Sequence, residues 1–257
     1  MESFLRDMSL TDHLEELRTR LIRVAIILIV SFMACYGFGE QLQEILLAPL
    51  RAALGVEGKV VFLGLLDKVL TQFQLAFWSS VIVSSPLWFR EGWLFIRPGL
   101  YEKEAKIIRP FVFIGFLLFC SGIAFGYFIV FPNTFGIMMQ FGVSNVEATI
   151  SLREYIVLAL KVLVFLGVLF QLPNLMLILG FMGLVDKKSL SSYRRYVIAA
   201  FAVLSAILTP PDVITQLALL IPLVTLYEIG LWSVALIVEP FKKKTDQEFE
   251  QDDNDNE

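Results

Sequence analysis

Five carboxylates interrupt the basic segments of this chain: Glu15 and Glu16 near its start, then Glu91, Glu102 and Glu104. Singly, each reads as a solvated charge paired with a neighbour, and an exposed pair contributes on the order of 1 kcal/mol or less. Glu16 has its local mate four residues on, in Arg20. Two separated carboxylates on one face nevertheless offer a site for a cationic ligand. A planar guanidinium suits it best, because its fork of N–H donors pairs with carboxylate oxygens two at a time, and a lysine ammonium is a poorer fit.

Other chemistries find no support in the residues. The single histidine, His13, sits among charged residues near the start, and no Cys/His cluster has metal-ligand spacing, so neither metal nor cofactor is expected. No serine or cysteine has that histidine within reach as a base. No Gly-rich loop followed by lysine is present to cradle a phosphate, so the chain has no visible means of using ATP. Cys35 and Cys120 fall in apolar segments and read as small hydrophobes, with no disulfide expected. The chain is not expected to be an enzyme, and no nucleic-acid partner is implied.

Polar groups inside apolar segments are expensive and so are functional candidates. Four stand out: Gln74, Lys161, Gln171 and Glu228. Lys161 lies close enough to a segment end to snorkel. Gln171 precedes Pro173, where a kink frees a backbone carbonyl that an amide donor would satisfy. Glu228 is expected to be protonated or paired.

The elements that must position these groups follow from hydropathy. A 57% hydrophobic content and a mean hydropathy of +0.72 exceed what a soluble domain of this length carries. Six apolar segments, approximately 21–38, 69–89, 108–131, 155–181, 196–208 and 213–238, predict an all-α integral membrane protein with six transmembrane helices. Sixteen of the 21 basic residues fall in alternate connections: Arg6, Arg18, Arg20, Arg23; Arg90, Arg97, Lys103, Lys106, Arg109; Lys187, Lys188, Arg194, Arg195; and Lys242, Lys243, Lys244. Cationic loops resist translocation, so both termini are expected to be cytoplasmic in a bacterial inner membrane. The charged opening is not followed by a cleavage site, so the first segment is expected to remain as an anchor.

Local patterns refine this plan. Leu10, Leu14, Leu17 and Leu21 recur at helical spacing, with Ser9 and Asp12 as a capping box, which predicts an amphipathic helix over residues 1–20 on the cytoplasmic surface. Pro49 sits in the outside connection 40–68, whose Gly residues and short apolar runs suggest a packed cap. The second outside connection, 132–154, is polar and poor in basic residues. The fifth segment is only about 21 Å long as a helix, short for a 30 Å hydrocarbon core. Thr209-Pro210-Pro211-Asp212 then reverses the chain, with Asp212 placed to cap the sixth helix. Residues 242–257, basic and then strongly acidic, read as a disordered tail.

From the residues alone, a receptor for a cationic ligand, a secondary transporter with Gln74, Gln171 and Glu228 at its midplane, and a membrane scaffold all remain open. The carboxylates favour the first.

The stretch His13-Leu14-Glu15-Glu16-Leu17-Arg18-Thr19-Arg20-Leu21 resembles the opening motif of the TatC family, the multi-spanning core subunits of the twin-arginine protein translocase. The resemblance continues through Ala48-Pro49-Leu50, the run Trp93 to Glu104, Phe131-Pro132, Thr209 to Val213, Gln216 and Tyr227-Glu228-Ile229-Gly230. It implies a receptor for folded export substrates bearing Arg-Arg signal peptides, driven by the proton-motive force. It places Glu16 and Glu104 at the twin-arginine site, with Arg18 and Phe95 linked to signal recognition. It implies single-span partner subunits of the TatA/TatB type contacting the fifth and sixth spans near Thr209 and Gln216, in a hetero-oligomer of several copies embedded in membrane lipid. It also implies a concave glove-like bundle with short fifth and sixth spans, although 213–238 is long enough to cross easily. Where many family members carry a glutamate in the fourth span this chain has Gln171, which points to polar packing or partner contact there.

Overall fold

The computed structural model describes residues 10–54, 59–96, 102–138, 149–209 and 212–240. The capping box at Ser9, the prolines 210 and 211, Lys242 to Lys244 and the acidic tail lie outside the described residues, as do the side chains of His13, Glu102 and Glu104. The described chain is almost wholly helical. α1 (Leu10–Gly37) is followed by α2 (Gly39–Leu54), β1 (Lys59–Val61), α3 (Asp67–Val83) and α4 (Ser85–Ile96). α5 (Glu102–Phe125) runs through a π-helical stretch, Gly126–Val130, into α6 (Phe131–Met138). β2 (Thr149–Ser151), α7 (Leu152–Leu169), α8 (Leu172–Phe181), α9 (Lys187–Leu208) and α10 (Val213–Ser233) complete the order, and a second π stretch, Val234–Val238, extends α10.

Four helical segments are long and apolar enough to cross a membrane: Leu14–Gly37, Val112–Ile137, Leu152–Phe181 and Val213–Val238. The expected sixth span is therefore not short; it is 26 residues long, because the chain carries its apolar run through the π stretch. The expected second segment is divided at Ser84. Pro86, in the first turn of α4, has no N–H for the carbonyl four residues back. The opened end is closed by Ser84, whose hydroxyl donates to the Ser80 carbonyl at 2.6 Å, and by the Trp88 indole, which donates to the Val81 carbonyl at 2.9 Å. The expected fifth segment is the C-terminal part of α9, which starts nine residues earlier than 196, at Lys187. Asp186 caps that start by accepting from the Ser189 amide at 2.8 Å.

Two expected outside connections contain helix among their described residues. Residues 40–54 form α2 with Pro49 inside it, and residues 132–138 continue α6. Proline in a helix interior orphans the carbonyl four residues earlier, here Ile45. Tyr127 answers this by donating its hydroxyl to the Ile45 carbonyl at 2.6 Å, and Tyr155 of α7 donates to the adjacent Leu46 carbonyl at 2.6 Å. Only the Ile45 carbonyl lacks its helical donor; Leu46 faces the Leu50 N–H within α2, so the Tyr155 bond is an additional tie between α7 and α2. Tyr155→Phe removes that buried bond and is expected to lower stability by about 0.5–1.5 kcal/mol, read as the midpoint of unfolding in detergent.

The same end of the bundle is closed by a parallel pairing of β1 and β2, in register Lys59 with Thr149 and Val61 with Ser151. Beside it Asp67 accepts from the Gly64 amide at 2.6 Å and from Arg153 at 3.1 Å. The Gly64 N–H, followed by the Arg153 guanidinium, holds the Asp67 carboxyl below the usual carboxylate range.

The core lies among α7, α10 and the elements around them, with Leu75, Ile156, Leu166, Leu219, Leu223 and Val234 fully buried. α5 and α7 cross at close range. A Cβ on Gly122 would lie 2.7 Å from the Leu166 carbonyl oxygen, and one on Gly167 would lie 2.7 Å from the Phe119 ring. Small residues at such crossings let membrane helices approach, since packing rather than water exclusion drives association there. α1, by contrast, is mostly exposed: Leu21, Ile26, Val30 and Met33 all face outward. Such a face suits lipid.

Candidate functional site

The α1 helix extends without interruption from the amphipathic opening through the first span, so Glu16 and Arg20 sit one turn apart on a single rod. α1 packs on α3 and α4, which brings Arg20 against Glu91. The Arg20 guanidinium donates through one terminal nitrogen to Glu16 Oε1 at 3.2 Å and through the other to Glu91 Oε2 at 3.0 Å. Arg23 stands 3.8 Å from the same Glu91 oxygen, and Arg90 donates to Glu91 Oε1 at 3.3 Å. One guanidinium therefore bridges two carboxylates on two helices.

Burial decides which of these contacts matters. The Glu91 side chain is only 5% exposed, against 20% for Arg20 and 18% for Glu16. Glu91 is thus not the solvated charge its composition suggests. A buried carboxylate without partners would be costly, and three arginines compensate this one. Sequence reasoning placed it in a basic loop, whereas α4 carries it on the same face as Trp88, one turn earlier, and Phe95, one turn later. That i, i+3, i+7 spacing was the available signal.

Glu16 keeps one oxygen in reserve: Oε2 is buried and accepts no hydrogen bond among the described residues. A shallow opening of about 330 Å³ lies there, lined by Glu15, Glu16, Thr19, Arg20 and Arg23. Arg20 and Glu91 also border an apolar groove of about 280 Å³ that includes Leu21, Val24, Val81, Trp88 and Phe95. Arg18 is exposed and forms no ion pair with another described residue. Glu104 lies in the first turn of α5, which packs on α4. A charged carboxylate edge beside an apolar trough can hold a cation next to a hydrophobic chain. Among the described residues no group of three or more His, Cys, Asp or Glu side chains gathers there to hold a metal ion.

Comparison with known proteins shows the family. Residues 12–222 match the family model described as Sec-independent protein translocase protein (TatC). The chain belongs to the TatC family. It is 40% identical over 241 residues to the Sec-independent protein translocase protein TatC of Desulforapulum autotrophicum, covering 94% of this chain and 88% of the relative. It is 34% identical to that of Helicobacter pylori, covering 95% of each. A crystal structure of a twin arginine translocase receptor, TatC, superposes with a TM-score of 0.75 at 31% identity, covering 87% of this chain and 98% of that one. This TatC-family chain is accordingly a multi-pass inner-membrane component of the Tat translocase, working with other Tat subunits, and serves transport rather than catalysis.

The remaining polar positions of this TatC-family chain lie away from the arginine cluster. Gln171 sits at the break between α7 and α8, but its amide reaches across to the Gly115 carbonyl of α5 at 2.9 Å. It does not serve the carbonyl freed by its own kink. Its Oε1 and the Asn174 Oδ1 are buried without partners among the described residues, beside Gly115, where a Cβ would lie 2.6 Å from Asn174. Glu228 is paired, accepting from Arg194 of α9 at 2.8 Å. Asp212 caps α10 by accepting from the Thr215 amide at 2.9 Å. Thr209 is buried and spends its hydroxyl on the Ser205 carbonyl at 2.8 Å. Gln216 donates to the Ala202 carbonyl at 3.2 Å, tying α10 to α9. Lys161 is exposed, and Gln74 keeps a buried acceptor unpaired among the described residues.

Proposed function

We propose that this chain is the receptor subunit that binds Arg-Arg signal peptides of folded cargo, with Glu16 and Glu104 as the acceptors. The observation that carries this reading is the bridged guanidinium. Glu16 already accepts one arginine at 3.2 Å and leaves a buried oxygen open beside it, so its surroundings are built for that group. Phe95 and the apolar groove offer a surface for the hydrophobic part of such a peptide. Arg18, exposed next to the site, interacts with the rest of the signal. The topology completes the reading: six spans, counting α3 with α4 and the C-terminal part of α9, with both termini cytoplasmic and the bundle concave. Energy enters as the proton-motive force. With an amide at 171, already bonded to Gly115, the fourth span contributes polar packing rather than a titrating carboxylate.

The test is photo-crosslinking of a labelled signal peptide in inverted membrane vesicles. Crosslinks that require both arginines and both glutamates support the receptor site. Crosslinks indifferent to Lys-Lys replacement would return the midplane transporter or scaffold readings.

Single-span TatA/TatB-type partners dock on α9 and α10. α9 packs mainly against α10, and Val203, Ile207, Ile214, Leu217 and Ile221 are exposed along this pair. Gln216→Leu is expected to reduce co-purification of the partner subunits severalfold while leaving peptide crosslinking intact. Equal loss of both would move Gln216 to the peptide site.

A further inference from the structure

The receptor reading treats Glu16 as an open acceptor, yet in the resting molecule Arg20 already occupies it. We infer that Arg20 is a resident stand-in for the ligand's guanidinium, which lowers the affinity of every cationic ligand and speeds release by reclaiming Glu16. The inference rests on the receptor reading of this site.

The geometry supports exchange rather than a fixed brace. Arg20 holds Glu16 at 3.2 Å and Glu91 at 3.0 Å through different nitrogens. Losing the first bond leaves the second intact, so the displaced guanidinium never lacks a charged partner. Glu91 is the more buried acceptor, at 5% side-chain exposure, and Arg23 and Arg90 keep it compensated throughout. Glu91 therefore acts as the parking place, holding Arg20 when it leaves Glu16. Glu16 Oε2 is unpartnered but buried, so an incoming arginine gains either oxygen of Glu16 only as Arg20 withdraws. Being on the same helix as Glu16, Arg20 competes at a high effective concentration, which favours prompt rebinding.

A competitor has a distinctive signature. It weakens all ligands of Glu16 by a common factor, whereas a residue that recognises the peptide changes the preference between ligands. Binding of Arg-Arg and Lys-Lys signal peptides is titrated in inverted vesicles carrying the whole translocase, for wild type, R20Q, R20K and E91Q. R20Q is expected to bind both peptides about tenfold more tightly, the equivalent of one charge-assisted hydrogen bond, with the Arg-Arg to Lys-Lys ratio unchanged and dissociation slower. R20K, which keeps the charge and protects folding, gains a smaller factor of the same sign. E91Q binds more weakly, because Arg20 then has Glu16 alone, and R20Q/E91Q returns to the R20Q value. Weaker or unaltered binding in both R20Q and R20K overturns the inference and makes Arg20 a brace between α1 and α4. A wild type with no preference for Arg-Arg overturns the receptor site itself, a separate outcome.

Discussion

Replacing Glu16 and Glu104 together by alanine is expected to reduce Arg-Arg peptide binding by about 30-fold or more. Each single replacement removes a charge-assisted acceptor and is expected to cost about 1–3 kcal/mol, and the two costs add if the sites act independently. Glu16 is fixed by its turn on α1 and by Arg20, whereas Glu104 belongs to the first turn of α5. Glu16→Ala also releases Arg20, which then belongs wholly to Glu91, so the fold should survive this change. Protein abundance and the unfolding midpoint check that point, and the peptide titration reads the affinity. Unchanged affinity in both single mutants and in the double mutant removes the guanidinium site.

The second large effect is structural. Gly122→Val is expected to destabilise the bundle by about 1–3 kcal/mol or more, in the range of overpacked cores. At this position even a Cβ meets the Leu166 carbonyl oxygen at 2.7 Å and the Gly167 Cα at 2.9 Å. Both obstacles are backbone, so no rotamer change relieves them, and α5 must move away from α7. That movement disturbs Phe119, which is fully buried and edge-on to both Trp88 and Phe89. Because Trp88 lines the groove beside the arginine cluster, peptide binding should fall along with stability. Gly136 is the control: nothing lies within 4 Å of a Cβ placed there, and Gly136→Ala is expected to be nearly neutral. A stable Gly122→Val protein, measured by size exclusion after heating in detergent, would mean that the two helices do not cross this closely.

How far the sequence announced these features varies with their physics. Long apolar runs identify the first, third, fourth and sixth spans because hydropathy sums over many residues. Asp212 was legible as a cap because capping is local, with one side chain reaching a backbone amide three residues on. Glu228 was expected to be protonated or paired; it is paired, with Arg194 of another helix, and only packing brings the two together. Pro49 was read as part of a packed outside cap, and the helix that carries it was not legible, since the hydroxyls bound to the carbonyls of residues 45 and 46 come from residues far along the chain. Glu91 was named among the carboxylates, but its burial was not legible. A charge set between basic neighbours looks solvated until the α1–α4 contact puts it out of reach of water.

The tyrosine clamp on α2 carries a consequence for natural variation. Tyr127 and Tyr155 bind carbonyl oxygens, not side chains, so the identity of residue 45, whose side chain is 59% exposed, is free to drift under the clamp. Leu46 is restrained only by the core it fills. The positions that must change together are instead 49 and 127. Once proline is lost, the helix reclaims the Ile45 carbonyl and the Tyr127 hydroxyl is left without its acceptor. Relatives that lack proline at 49 should therefore tend to carry phenylalanine or another apolar residue at 127, a linkage between two positions whose side chains owe nothing to each other except a shared oxygen.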